Sequence, residues 1–143
     1  MRSAGIYLDA NVIVPLFGVD PLTNRAEKAL HRLDDDLIVS DFSVAEFSSV
    51  MARRVRMREL RRDEARTAFL NFDVWCARHA RRIQVESTDI LSATELIRRL
   101  DHSLHTPDAL HIAVVRRIGC KLLTFDSIMG NVARALGVEV VKN

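Results

Sequence analysis

Short apolar runs alternate with longer stretches of helical periodicity along this chain, and that alternation leaves few folds open. Gly5-Ile6-Tyr7-Leu8, Leu37-Ile38-Val39-Ser40, Ile83-Gln84-Val85-Glu86, Lys121-Leu122-Leu123-Thr124-Phe125 and Val138-Glu139-Val140-Val141 are each of strand length. The first two read as buried strands of a parallel sheet. Between them lie helical patterns. Ala26, Leu30 and Leu33 recur at helical spacing in residues 23–33, which end in the polar turn Asp34-Asp35-Asp36. Ser43-Val44-Ala45-Glu46 fits a Ser-x-x-Glu capping box and starts a helix to about Arg56. Residues 62–79 place Ala65, Phe69, Phe72 and Cys76 on one helical face. A helix capped by Ser87 or Thr88 carries the stripe Ile90, Ala93, Ile97 and Leu100, widened by Leu91 and Leu96. Another runs from Thr106 to about Ile118, and a last one over 127–136 stops at Gly137, a C-cap. Asn11-Val12-Ile13-Val14-Pro15 is either a sharp turn or a short helix. The order predicts an α/β domain with a mainly parallel central sheet and helices on both faces.

The 143 residues suit one domain, 1–143, able to bury about two-thirds of its unfolded surface. At 48% hydrophobic and 28% charged the chain has the balance of a soluble globular protein, and no apolar run approaches a membrane span. The run before Asp9 is too short for a signal-peptide core, so a cytoplasmic location and no membrane partner are expected. Cys76 and Cys120 sit in apolar patterns without paired spacing and read as core thiols. The net charge of +2 permits nucleic-acid binding without demonstrating it. Its distribution is uneven: Arg53, Arg54, Arg56, Arg58, Arg61 and Arg62 fall within ten residues, as a solvated helix end or as a phosphate- or partner-binding patch.

The helix at 106–118 poses the sharpest question. Pro107 suits a first helical turn, Thr106 is its expected N-cap, and residues 110–115 are apolar except His111. Asp108 then shares a face with Ile112 and Val115, where an unpaired carboxylate is costly. Three further acids stand where they could answer it. Asp9 ends the first strand, Asp126 follows the fourth, and Glu46 lies in the first turn of the helix after the second. Sites in open parallel sheets form outside the carboxyl ends of the strands, so the four are predicted to converge. Clustered carboxylates need a counter-charge, and oxygen-only ligands suit Mg²⁺ or Mn²⁺ rather than zinc. The matching chemistry is metal-assisted phosphodiester hydrolysis. Each acid also has a plainer reading: Glu46 as a capping-box acid, Asp126 as an N-cap or turn residue. The conjunction carries the inference.

Four segments resemble the signature motifs of PIN-domain ribonucleases. They are Tyr7-Leu8-Asp9-Ala10-Asn11-Val12-Ile13-Val14, Ser40 with Glu46 six residues on, Pro107-Asp108-Ala109-Leu110-His111-Ile112-Ala113, and Leu122-Leu123-Thr124-Phe125-Asp126. Their order and spacing are most similar to VapC-like toxins of type II toxin–antitoxin modules, over nearly the whole chain. The resemblance implies a PIN-like three-layer fold. It implies Asp9, Glu46, Asp108 and Asp126 as a catalytic quartet binding Mg²⁺ (or Mn²⁺). Asn11 and Thr124 would be supporting polar groups, and Ser40 a supporting hydroxyl or a structural cap. RNA cleavage, a homodimer and inhibition by a cognate antitoxin are implied as well, with the Arg-rich face and grooves between the early helices serving RNA or antitoxin. One departure is Ser127-Ile128-Met129, where basic or aromatic residues often follow the fourth acid.

Other polar residues are given plainer roles. His102 and His105, three apart, could ligate a metal but are expected in a loop or fraying helix end; His111 could hydrogen-bond near the site but reads first as a satisfied core histidine, and Trp75 with Phe69 and Phe72 as packing. A haloacid-dehalogenase-type phosphatase needs an acid where Asn11 stands, and a receiver domain needs an adjacent acid pair at the first strand that is missing here. The remaining competitor is a catalytically silent PIN-like module that binds nucleic acid or protein.

Overall fold

The computed structural model describes residues 5–18 and 20–143. Four parallel strands, β1 (Ile6–Leu8), β2 (Leu37–Ser40), β3 (Ala80–Ile83) and β4 (Lys121–Leu123), lie in the order β3-β2-β1-β4. Among the described residues, seven helices join them: α1 (Ala10–Phe17), α2 (Thr23–His31), α3 (Asp41–Arg56), α4 (Arg62–His79), α5 (Ser87–Arg98), α6 (Thr106–Ile118) and α7 (Ser127–Ala135). Among the described residues, no helix is long and apolar enough to cross a membrane.

Alternation along the central strands builds three layers. Ile6 and Leu8 of β1, with Val39 and Leu123, face Val12, Ile13, Phe47, Met51 and Phe72 of α1, α3 and α4. Tyr7, Ile38 and Leu122 point the other way, against Leu96, Ile112, Val115, Met129 and Val132 of α5, α6 and α7. The start of β1 is tight. Gly5 has φ +104°, and a Cβ there would stand 2.7 Å from the Asp36 carbonyl oxygen.

The chain steps outward from β1 through β2 to β3, then returns to place β4 on the other side of β1. The reversal between β1 and β4 is a topological switch point, where crevices open at the carboxyl ends of strands. Asp9 and Thr124 each follow directly on one of those two strands. The site's position follows from strand order.

Several boundaries differ from the sequence-based expectation. The third strand is Ala80–Ile83, not 83–86. As an edge strand it exposes Arg81 and Arg82, so its apolar alternation is absent while its pairing with β2 is complete. Residues 138–141 make a single bridge, Leu122 to Val140, rather than a full strand. The stretch after Asp9 resolves as the helix α1, which runs through Pro15. In α3 the N-cap is Ser40, whose Oγ accepts the Ser43 N–H at 3.0 Å, so the Ser43–Glu46 capping box does not form. Glu46 is thereby released from capping. The α5 stripe is also rotated: Ile90, Leu91 and Leu100 are exposed, while Asp89, Ala93 and Leu96 are buried. Asp89 turns inward because Arg117 of α6 holds it through two guanidinium hydrogen bonds of 2.8 and 2.9 Å. Glu86, not Ser87 or Thr88, precedes that helix, and His105 rather than Thr106 precedes α6. The C-cap of α6 is Gly119 at φ +74°, a left-handed conformation that favours glycine.

Candidate metal centre

Asp9 leaves β1 in an extended conformation and precedes α1 without its side chain capping that helix. The carboxylate is 7% exposed and instead accepts a hydrogen bond from Thr124 Oγ1 at 2.8 Å. Burial pushes the Asp9 carboxyl above its usual range, and the nearby Glu46 charge adds to that rise; His111 and the Thr124 hydroxyl pull the other way. The net shift is upward. A buried carboxylate in this position is short of positive charge.

Thr124 is the hub at the switch point. Its hydroxyl donates to Asp9 and accepts from Asn11 Nδ2 and from the Asp126 backbone N–H, both at 3.1 Å. Asn11 Oδ1 accepts the Phe125 N–H at 3.1 Å, which sets the orientation of the amide. Asn11 and Thr124 thus tie the end of β4 to the start of α1 around the Asp9 carboxylate. Asp126 is one link from Asp9 through Thr124. Its own Oδ1 accepts the Met129 N–H at 3.0 Å and caps α7.

Glu46 reaches the same region from the second turn of α3, and its side chain is 28% exposed. Its Oε1 is in short hydrogen-bond contact with His111 Nε2. His111 is fully buried on α6, and its Nε2 lies 3.8 Å from Asp9 Oδ1. Among the described residues, Asp9, Glu46 and His111 form one group whose potential ligand atoms all lie within 4.8 Å of one another. Asp108 and Asp126 stand outside that group. Asp108 is half-buried in the first turn of α6, where its Oδ2 accepts the His105 N–H at 3.4 Å. The structure therefore joins two of the four sequence-predicted acids directly, Asp9 and Glu46. The Asp126 backbone N–H bonds Thr124 while its carboxylate caps α7, and Asp108 is engaged at the N-terminus of α6, so the expected convergence of four carboxylates is realised by two.

For His111 the structure realises the lesser of its two sequence-based readings, a hydrogen bond at the site, together with the core burial of the other. The imidazole is buried and satisfied, but its partner is a site carboxylate. A signal was present: His111 is the one polar residue in the run 110–115, and Tyr7 and Ser40 are polar positions within buried strands. Buried polar groups need each other, and these three do meet. Tyr7 Oη lies 2.6 Å from both His111 Nδ1 and Ser40 Oγ. Burial raises the Tyr7 phenol far above its ordinary value, so it remains a donor.

The carboxylate pair suits a hard divalent cation, but the expectation of an oxygen-only set is corrected by the His111 imidazole beside it, whose Nε2 is engaged by Glu46. Two carboxylates of like charge, one nearly excluded from water, share a space small enough for one ion to contact both. Asp9 and Glu46 would hold it, with Asp108 and Asp126 on the neighbouring helix N-termini as the further acids.

The clustered arginines divide. Arg54 is half-buried and pairs with Asp20 at 2.8 Å, and Arg61 meets Asp63 and Glu64 on the surface at 3.3 Å. Arg53, Arg56, Arg58 and Arg62 are exposed. Arg54 and Arg61 also border a groove of about 800 Å³ whose apolar wall includes Phe17, Met51 and Leu60.

Comparison with known proteins bears on this arrangement. A family model of the PIN domain matches residues 6–135. Among curated proteins no match is found. Among solved structures, the fold is similar to Mycobacterium tuberculosis VapC20, described as a sarcin-ricin loop cleaving toxin, with TM-score 0.75 and 20% identity over 96% of this chain and 99% of that one. FitAcB from Neisseria gonorrhoeae gives TM-score 0.71 at 17% identity, covering 96% of each chain. VapBC2 from Rickettsia felis, solved with a DNA fragment from its promoter, gives 0.68 at 13% identity over 95% of this chain and 96% of that one.

Proposed function

Because the chain belongs to the PIN-domain family, we propose that it is a divalent-metal-dependent endoribonuclease and the toxin of a toxin–antitoxin pair. The observation that carries this reading is the Asp9–Glu46 pair, set at the β1/β4 switch point and short of compensating charge. In the reading, Asp9 and Glu46 hold Mg²⁺ or Mn²⁺, and Asp108 and Asp126 complete the acidic quartet. Asn11 and Thr124 hold Asp9 in its ligating orientation. A bound divalent cation supplies Lewis acidity, stabilising charge on phosphoryl oxygens and acidifying a water for attack on phosphorus. Thr124 keeps a hydrogen bond on one Asp9 oxygen and leaves the other directed into the site.

The substrate proposed is RNA, after the toxin whose description names the loop it cleaves. The antitoxin partner is proposed because solved structures of this fold include toxin–antitoxin complexes. The groove bordered by Phe17, Met51 and Leu60 offers such a partner an apolar floor, edged by Arg54 and Arg61 paired with Asp20, Asp63 and Glu64. A homodimer and a cytoplasmic location belong to the same reading.

A cleavage assay on defined RNAs tests it. Wild-type protein with Mg²⁺ or Mn²⁺ should cut, EDTA should stop cutting, and Asp9→Asn should lose at least a hundredfold in rate while remaining folded. Undiminished cutting by Asp9→Asn, or by protein in EDTA, overturns the assignment. A folded wild type that binds RNA in Mg²⁺ without cutting it would favour the silent binding module.

A further inference from the structure

The hydrogen bonds around Tyr7 form a directed chain that ends on a site acid. A carboxylate only accepts, so the contact between Glu46 Oε1 and His111 Nε2 requires the hydrogen on Nε2. In the neutral ring Nδ1 is then the acceptor, and Tyr7 Oη, 2.6 Å away, must donate to it. The Tyr7 oxygen in turn accepts from the Ser40 hydroxyl at 2.6 Å. Ser40 Oγ accepts the Ser43 backbone N–H at 3.0 Å, and Ser43 Oγ donates to the Leu8 carbonyl at 3.2 Å. Ser43 Oγ also lies 3.3 Å from Tyr7 Oη and 3.2 Å from Ser40 Oγ, so the serine end of the path is branched, while the Tyr7–His111–Glu46 end is a single line from β1 through α6 back to α3.

We propose that His111 is a positioning residue whose Nε2–H fixes the Glu46 carboxylate at the metal site, with Tyr7 and Ser40 behind it selecting the ring tautomer. This rests on the reading of Glu46 as a metal-holding acid. Three features distinguish the chain from ordinary core polarity. Tyr7, Ser40 and Ser43 are fully buried, so no solvent competes for their hydrogens, and consecutive bonds in such a medium polarise one another. The imidazole is pinned by Phe42 and Tyr7, with ring centroids at 5.1 and 5.5 Å. The chain also stops on a half-buried carboxylate at the site rather than on a backbone carbonyl. Glu46 stands on a long side chain with free rotamers, and a donor on one oxygen leaves the other presented to a cation. The same Ser40 hydroxyl that caps α3 therefore also sets the acid that α3 carries.

The opposite tautomer defines the alternative. If His111 were itself a ligand through Nε2, Nδ1 would carry the hydrogen, and Tyr7 would turn to donate to Ser40. Isotope-edited NMR of the histidine ring nitrogens separates the two, without Mg²⁺ and with it. The Nε2–H tautomer in both states is expected; conversion to Nδ1–H on adding Mg²⁺ overturns the proposal.

Mn²⁺ titration calorimetry gives the second arm. His111→Leu should weaken Mn²⁺ binding about 10- to 100-fold, in line with other groups that orient ligands. His111→Gln, whose amide nitrogen can donate in place of Nε2, should recover most of that loss. Tyr7→Phe differs by one oxygen and serves where His111→Leu fails to fold; its affinity should fall several-fold and its ring should lose the single tautomer. Wild-type affinity in Tyr7→Phe, or no recovery by a folded His111→Gln, overturns the proposal. If wild type binds Mn²⁺ but cuts no RNA, the nuclease reading fails while these comparisons still decide the role of His111.

Discussion

Burial holds the Asp9 carboxyl above its ordinary range, a cost partly offset by His111 and the Thr124 hydroxyl. The Asp9 pKa is raised above the ordinary 3.8, so at pH values between the two the folded chain keeps a proton that the unfolded chain has released. Metal-free stability should therefore fall as pH rises from about 3.8 through the raised Asp9 pKa, with no recovery of this contribution above it. Removing the charge removes the cost. Asp9→Asn should raise the metal-free Tm by a few degrees at pH 7 while abolishing Mn²⁺ binding. Thermal melts with and without EDTA check this, and a lower Tm for Asp9→Asn would contradict it. Thr124→Val keeps the shape of the hub and removes its hydroxyl. That variant should lose about 10- to 100-fold in Mn²⁺ affinity, because Asp9 and Asn11 would both lose their shared partner.

At the scale of elements, two tertiary contacts set helices that local pattern misassigns. Ser40 caps α3 and also belongs to the Tyr7 chain, so Ser40→Ala should cost about 1–2 kcal/mol in urea unfolding, with cap loss alone at about 1. A cost indistinguishable from zero would mean that the cap is redundant. The α5–α6 pair rests on Arg117, which binds both Asp89 oxygens and donates to the Gln84 carbonyl at 3.0 Å. Burial raises the Asp89 pKa, but the Arg117 hydrogen bond, the Glu86 N–H and the Arg117 charge outweigh it, leaving it lowered. Its stabilisation is accordingly present above the ordinary 3.8 and is lost as pH falls through the depressed folded value. Arg117→Ala should cost about 1–3 kcal/mol, since Asp89 would be left buried without its cation. The elements that local sequence reveals are those whose burial is one-sided or complete. The helix α4 matches its pattern from Arg62 to His79, and β1 and β2 show uninterrupted apolar runs. The edge strand β3 carries Arg81 and Arg82 and is defined only by pairing with β2. The rotation of α5 depends on a partner 28 residues away, which no local window contains. The proximity of Asp9 and Glu46 is legible in the order of acids after strands. The part played by His111 is not, because its partner Tyr7 lies 104 residues away and its role needs both ring nitrogens placed.

For the whole molecule, strand order brings residues from β1, α3, α6 and β4 to one crevice, and a cation would join them. Binding to the folded state alone stabilises by mass action. Mn²⁺ at about a hundredfold over its Kd should add about 2.7 kcal/mol, or roughly 5–10 °C in Tm for a chain of this size. EDTA should reverse the shift, and Glu46→Gln should largely remove it. The groove beside Arg54 and Arg61 lies apart from the Asp9–Glu46 pair in its lining residues. Substitutions on its floor, such as Leu60→Asp, should therefore weaken an antitoxin while leaving the metal-dependent Tm shift intact.

The metal centre itself is tested most directly by anomalous scattering from a crystal grown with Mn²⁺. A peak is expected in direct coordination with carboxylate oxygens of both Asp9 and Glu46, with His111 Nε2 still donating to Glu46. No peak there, or a peak bound only by acids elsewhere on the chain, would contradict that assignment.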